Sequence, residues 1–280
     1  MLGALPLAER GPRRIRWLAV TMGDRPMPPR RELGAHGFAD GATYQAARPG
    51  YPAAALEFLI RSLGLGPGAR VVDLGAGTGL LTGQLRERFE DVTAIEPSAG
   101  MREVLGAAVP GVRVLDGRDV AMPLPDAEAD AVFVGQAFHW FDAPRALAEI
   151  RRVLVDGGGL GLLWNNRDES VGWVAEFSRA MRWDRCSPYS PGTDWTPVLG
   201  AGGFARIARC GFRNVQRVDR RQLYQRVLST SYVAVMSEDE RQDLMADVRA
   251  VVERLAEPIV FPYVTDVYRA TAATAARQRA

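Results

Sequence analysis

The chain contains no lysine, only two histidines and only two cysteines. Every basic side chain besides the histidines is therefore arginine, a bias that fits GC-rich codon use better than a functional demand. Cys186 and Cys210 form neither a C-x-x-C pair nor a metal-ligand spacing. That argues against a disulfide framework and a cysteine metal site, and makes a cytoplasmic location the expectation. No apolar run is long enough to span a bilayer, so no membrane role is expected. The formal charge of +2 is too small to point to a nucleic-acid partner. No internal repeat is evident.

What is present is an ordinary globular composition. Hydrophobic residues make up 47% and charged residues 24% of 280, enough for one large domain or one domain with a cap. The positive excess gathers at the start, where Arg10, Arg13, Arg14, Arg16, Arg25, Arg30 and Arg31 face only Glu9 and Asp24. Prolines interrupt this stretch and no apolar period is sustained, so residues 1–37 read as a flexible basic extension. Its apolar stretches are too short for a secretory signal. A simpler expectation is translation from Met22 or Met27, which the intact mass of native protein decides.

The stretch Val71-Val72-Asp73-Leu74-Gly75-Ala76-Gly77-Thr78-Gly79-Leu80-Leu81-Thr82 reads as strand, tight turn and helix. Glycine lacks Cβ, so a ligand can lie directly against such a turn. The free N–H groups and the positive end of the following helix then face it. Dinucleotide-binding domains use G-x-G-x-x-G, which would need glycine where Leu80 stands. The run resembles instead the D-x-G-x-G-x-G first motif of class I S-adenosylmethionine methyltransferases. A second strand, Val92 to Ile95, ends in Glu96 and Pro97. A carboxylate there can accept both ribose hydroxyls of an adenosine.

The segment Phe38 to Pro52, with Tyr44, Arg48-Pro49, Tyr51 and Pro52, resembles the F…Y…R-P-x-Y-P lid of small-molecule methyltransferases similar to trans-aconitate methyltransferase. The resemblance implies that Tyr44 and Arg48 reach the methionine end of the cofactor, with Arg48 facing its carboxylate. Alternatively Arg48 is a surface residue and Tyr44 packs the lid. Phe138-His139-Trp140-Phe141-Asp142 also matches that group.

The remaining elements follow in order. A helix over 53–63 has Leu56, Leu59, Ile60 and Leu63 on one face. Leu80–Arg88 is helical, and a third helix starts near Met101, which covers the adenine face or fills the core. After a third strand at 112–115, Asp119 is the candidate acceptor for the adenine amino group. The fourth strand, 131–136, ends at Gln136 and Ala137, beside the first strand at the switch point. Phe138, Trp140, Trp164 and Asn165 should thus meet the acceptor. Asp142 is placed to cap helix 143–154. Strand five is 159–164. Residues 168–212 read as a cap, whose aromatics Trp173, Phe177, Trp183, Tyr189 and Trp195 line a substrate pocket or fill a satellite core. Residues 215–220 alternate as an edge strand. Helices follow at 222–228 and 237–255, the latter opened by a capping box at Ser237 and Glu240. Pro262 within the last strand, 258–268, suits an interrupted or edge strand.

The resemblance implies a Rossmann-like seven-stranded mixed sheet with helices on both faces, over residues 38–280. It implies S-adenosylmethionine as cofactor, S-adenosylhomocysteine as product, and in-line methyl transfer to a small organic acceptor, at a carboxylate or hydroxyl oxygen. Asp73, Gly75, Ala76, Gly77, Thr78, Gly79, Glu96, Pro97, Met101, Asp119, Gln136 and Ala137 form the expected cofactor site, with Tyr44 and Arg48. No metal is expected, and the chain is read as a monomer or homodimer. His139 is the candidate general base, or else it orients its loop or hydrogen-bonds the substrate. Other readings are a protein that holds the cofactor without methylating, an N- or C-directed methyltransferase, and a nicotinamide oxidoreductase.

Overall fold

The computed structural model describes residues 48–186 and 192–273, together with the short antiparallel pair Thr21–Met22 and Arg25–Pro26. Tyr44 and Tyr189 lie outside the described residues. Seven strands form one sheet: β1 Arg70–Leu74, β2 Asp91–Ile95, β3 Arg113–Leu115, β4 Ala129–Gly135, β5 Leu154–Arg167, β6 Phe204–Val218 and β7 Ile259–Ala272. Their spatial order is β3-β2-β1-β4-β5-β7-β6. Five strands run parallel, and β7 is antiparallel to both neighbours. This is the seven-stranded Rossmann-like mixed sheet that the resemblance implied. Strand order reverses between β1 and β4, which opens a crevice at their carboxyl ends.

Parallel strands covered on both faces need apolar side chains on both, and β4 supplies them: Ala131, Val132, Phe133 and Val134 are all fully buried. On one side, helix α1 (Ala53–Ser62) places Leu56 and Leu59 against Phe133 and Leu81. Helices α2 (Leu80–Arg86) and α3 (Ala99–Ala108) follow β1 and β2; Ser98 caps α3 by accepting the Met101 N–H. On the other side, α4 (Ala143–Val153) buries Leu147, Ile150 and Val153. Asp142 stands at the start of α4, but its side chain makes no capping bond.

After β5 come α5 (Gly172–Ala180), α6 (Trp183–Cys186) and α7 (Thr196–Ala201). After β6 come α8 (Arg220–Leu228), α9 (Ser231–Ala234) and α10 (Glu238–Val252). Asp219 and Ser237 open α8 and α10 with capping boxes, the second as expected. Val174 and Phe177 of α5 pack with Leu223, Val227, Leu244 and Val248, and against Phe261 and Tyr263 of β7, as a second core.

Three strand expectations need correction. Strand β6 begins at Phe204, so the end of the segment read as a cap belongs to the sheet. A register shift between Ala205 and Ala208 breaks the alternation that would have marked it. Strand β5 is longer at both ends than 159–164. Strand β7 is interior although it contains Pro262. The last pair between β5 and β7 is Arg167 with Tyr263, and the Pro262 carbonyl accepts the Asp168 N–H at 3.1 Å. The missing proline N–H therefore falls just past the end of β5, where no strand bond is lost.

Candidate cofactor and acceptor cleft

The carboxyl ends of β2, β1, β4 and β5 open into one cleft of about 450 Å3, within the roughly 300–1,000 Å3 of small-molecule sites. The turn after β1 forms its floor. Gly75 and Ala76 donate to the Ile95 carbonyl at 2.8 and 3.1 Å, which ties the turn to β2. Gly75 and Gly77 lie at φ +71° and +58°, where side-chain-bearing residues are strained. A Cβ on Gly75 would sit 2.9 Å from Ala137 Cβ, whereas one on Gly77 meets only Met101 Sδ, at 3.9 Å. Gly77 therefore faces open space.

Glu96 stands beside the turn and is 7% exposed. One carboxylate oxygen accepts the Gly77 N–H at 3.0 Å and the other the Ser98 N–H at 2.9 Å. Each oxygen keeps a second lone pair. Burial pushes the Glu96 carboxyl up, against the pull of these two bonds. Asp73 is buried behind the turn, where its Oδ2 accepts the Thr82 hydroxyl at 2.6 Å. Burial pushes its carboxyl up to about 7; the Thr82 bond opposes this and Glu96 adds to it.

Arg48, Ala76, Thr78, Pro97, Met101 and Asp119 also line the cleft. Asp119 accepts the Asp142 N–H at 3.1 Å, which joins the loop after β3 to the start of α4. Gln136, at φ +58°, and Ala137 line the opposite wall. Gln136 Oε1 accepts the Asn165 N–H at 2.7 Å. Trp140 and Asn165 continue that wall.

Four expected site residues are not on the cleft wall. Gly79 packs on α3, where a Cβ would approach Leu105 to 2.9 Å. Phe138 and Trp164 are 1% and 2% exposed and belong to the main core. Phe138 stands edge-on to Trp195 at 5.2 Å, and Trp195 stacks on Trp164 at 5.6 Å. His139 is buried, and its Nδ1 accepts the Trp164 indole N–H at 3.2 Å. That bond assigns the ring proton to Nε2 and engages the lone pair a general base would need. The cap aromatics Trp173, Phe177 and Trp183 likewise pack in the second core and are absent from the wall.

At the far end of the cleft Asn165 was expected, but Arg226 and the bonds that build this end were not. Asn165 donates to the carbonyls of Pro49 and Gly50 at 3.2 Å and accepts from Thr265 at 2.6 Å and Asn214 at 3.1 Å. It thereby pins the segment 48–52 over the sheet edge. Gln84 holds Tyr51 through two backbone bonds, at 2.9 and 2.7 Å. Arg226 of α8 closes this end. Its sequence signal is an arginine in line with Leu223 and Val227 on a core-facing stripe.

A doubly wound sheet with a glycine turn and an acid at neighbouring strand ends defines an α/β protein built to hold an adenosine-type cofactor. Residues 72–162 match the family described as a methyltransferase domain. An uncharacterised methyltransferase of Mycobacterium tuberculosis is 37% identical over 254 residues, covering 87% of this chain and 98% of that protein. A malonyl-[acyl-carrier protein] O-methyltransferase of Serratia marcescens is 39% identical over 102 residues, 35% of this chain and 40% of that protein. The structure of phosphoethanolamine N-methyltransferase 2 of Haemonchus contortus with S-adenosyl-L-methionine aligns at a TM-score of 0.54. It shares 17% identity and covers 89% of this chain and 62% of that one, a likeness of fold.

The chain belongs to the methyltransferase family, and S-adenosylmethionine is its expected methyl donor. The cleft fits that cofactor. Asp73 Oδ1 and Thr78 Oγ1 are buried without a hydrogen-bond partner, and Gly77 leaves its side of the turn open. Among the described residues, no cluster of His, Cys, Asp and Glu gathers where a metal would sit. None of their helices is long and apolar enough to cross a membrane.

Proposed function

We propose that the enzyme transfers a methyl group to an oxygen atom of a small organic acceptor by in-line displacement, and that the oxygen belongs to a carboxylate. The observation that carries this is the single cleft, which runs from Glu96 across the glycine turn to Trp140, Asn165 and Arg226. The cofactor supplies the electrophilic methyl and its own leaving group. The protein's task is then to align the two reactants and exclude water. In this reading Glu96 accepts the ribose hydroxyls and Asp119 lies at the adenine edge. Asp73 accepts the amino group, and Arg48 faces the cofactor's carboxylate. A hydroxyl acceptor would call for a base, and His139 is committed to Trp164. A carboxylate needs none. The named O-methyltransferase among the relatives agrees with transfer to oxygen.

The test is incubation with S-adenosylmethionine and a panel of carboxylic acids and phenols, read by mass spectrometry. Methyl esters support the reading. Methylation confined to amines, or S-adenosylhomocysteine held without turnover on any acceptor, overturns it.

Two further results are expected. His139→Gln should lower kcat by less than about tenfold and leave the pH profile unchanged, whereas loss of a true general base costs roughly 100-fold or more. Steady-state kinetics across pH decide this. Second, S-adenosylhomocysteine binding should release a proton near pH 6 and none above pH 8. The free Asp73 carboxyl titrates at about 7, and an ammonium partner stabilises its ionised form, so affinity rises with pH up to 7 and then levels. In the free protein the sign is opposite. The raised Asp73 pKa means stability is greatest below the ordinary carboxylate range and falls as pH rises toward 7. Calorimetry in buffers of different ionisation enthalpy measures the proton, and Asp73→Asn should remove it.

A further inference from the structure

Arg226 is 5% exposed, lines the cleft, and has no ion pair among the described residues. Its Nη1 donates to Gln216 Oε1 at 3.1 Å and closely to the Tyr263 hydroxyl, and its Nε is buried without a partner. Arg167, paired in register with Tyr263, stands beside it. Arg167 Nη2 reaches only the sulfur of Met181, at 3.0 Å, and its Nη1 is buried without a partner. Both guanidiniums lie against aromatic rings. Arg167 is 4.3 Å from Trp183 and 5.3 Å from Phe177; Arg226 is 4.9 Å from Tyr263 and 5.3 Å from Phe261. Burial, and then the charges of Arg48 and Arg167, push Arg226 down to about 10; burial first, with Arg48 among the other causes, lowers Arg167. Three cations from three distant segments thus feel one another. Among the described residues neither Arg167 nor Arg226 forms an ion pair with a carboxylate.

Buried guanidiniums are normally matched by carboxylates, as Arg209 is by Asp266 at 2.6 Å elsewhere in this fold. Here the unmatched charge stands at the end of a ligand cleft: Arg226 lines the wall, and Arg167 lies behind it, off the wall. Position separates them from the adenosine end. Glu96 follows β2, while Arg167 sits on β5 and Tyr263 on β7, three and four strands along the sheet. At about 4.8 Å per strand that is roughly 14–19 Å. We propose that Arg226 on the cleft wall, with Arg167 behind it, forms a subsite for an anionic group of the acceptor, a carboxylate or a phosphate. Arg48 lines the same cleft. The planar forks of the two arginines suit either oxyanion, and the aromatic walls hold them in place without neutralising them. The inference rests on the methyltransferase reading and names the charge its acceptor must carry.

The test uses the full chain saturated with S-adenosylhomocysteine, titrated with malonate and separately with inorganic phosphate. At least one should bind, and the stronger of the two identifies the oxyanion. Arg226→Met and Arg167→Met should each weaken that binding by at least about tenfold, the loss expected for one charge-assisted contact. Both should leave S-adenosylhomocysteine affinity within a few-fold. Arg226→Lys, which keeps the charge and covers the case in which the methionine variant does not fold, should weaken anion binding less than Arg226→Met or Arg167→Met does. Absence of binding by both anions to the loaded wild type overturns the proposal, as does unchanged binding in both methionine variants. So does a loss of S-adenosylhomocysteine affinity in Arg226→Met that spares 5′-methylthioadenosine, which lacks the amino-acid carboxylate; the cluster would then serve the cofactor. Failure of the wild type to bind S-adenosylhomocysteine at all strikes instead at the cofactor reading.

Discussion

Gly77→Val is expected to abolish measurable binding of S-adenosylmethionine and S-adenosylhomocysteine while leaving a folded protein. The argument has two parts. In the free protein the new side chain meets little: the nearest atom to a Cβ is Met101 Sδ, at 3.9 Å. Its cost there is the left-handed backbone, φ +58°, about 1–2 kcal/mol for a residue with a Cβ, and a domain of ordinary stability survives that. The side chain instead occupies the space over the turn, between Glu96 and the start of α2, where the cofactor must lie. A loss of affinity of 100-fold or more, about 3 kcal/mol, is the expected result. Gly75→Ala should behave differently. Its Cβ would approach Ala137 to 2.9 Å, so the fold pays first, as a lower melting temperature. Titration calorimetry and thermal denaturation on both variants separate the two effects.

Phe138→Ala should be the most destabilising change near the cleft, at about 3–5 kcal/mol for loss of a fully packed aromatic. Phe138 is 1% exposed and meets the rings of Phe141, Trp164 and Trp195 at 5.7, 6.5 and 5.2 Å. It also anchors the short loop that carries Gln136, Ala137 and Trp140 on the cleft wall. Urea denaturation measures the stability loss. Cofactor affinity at saturating folded protein should fall far less, because the turn and Glu96 are untouched. A variant of wild-type stability that has lost its acceptor would instead restore Phe138 as a ligand.

The cofactor half of the site was legible because it is local in sequence. Gly75 and Gly77, with Asp73 before them, sit in one turn, and Glu96 ends the next strand. A short motif therefore carries the geometry. In the other half Trp140 and Asn165 were legible but Arg226 and the contacts that set them were not, because long-range packing builds it. Asn165 meets Thr265 and Asn214, and Arg226 meets Tyr263 and Gln216. No spacing rule links such residues. The phrase His139-Trp140 looked like chemistry because histidine is the usual proton carrier near neutral pH. Packing assigned it to hold Trp164 instead. Topology was legible through the parallel strands, whose apolar runs are unmistakable. It was not legible at Phe204, where a bulge broke the alternation, nor at Pro262, whose place in an interior strand depends on where its neighbour stops.

The most direct test of the central claim is calorimetric titration of the purified chain with S-adenosylmethionine, S-adenosylhomocysteine and NADH. The account predicts micromolar binding of the first two, one per chain, and none of the third. Binding of NADH with no response to either sulfur nucleoside would contradict it.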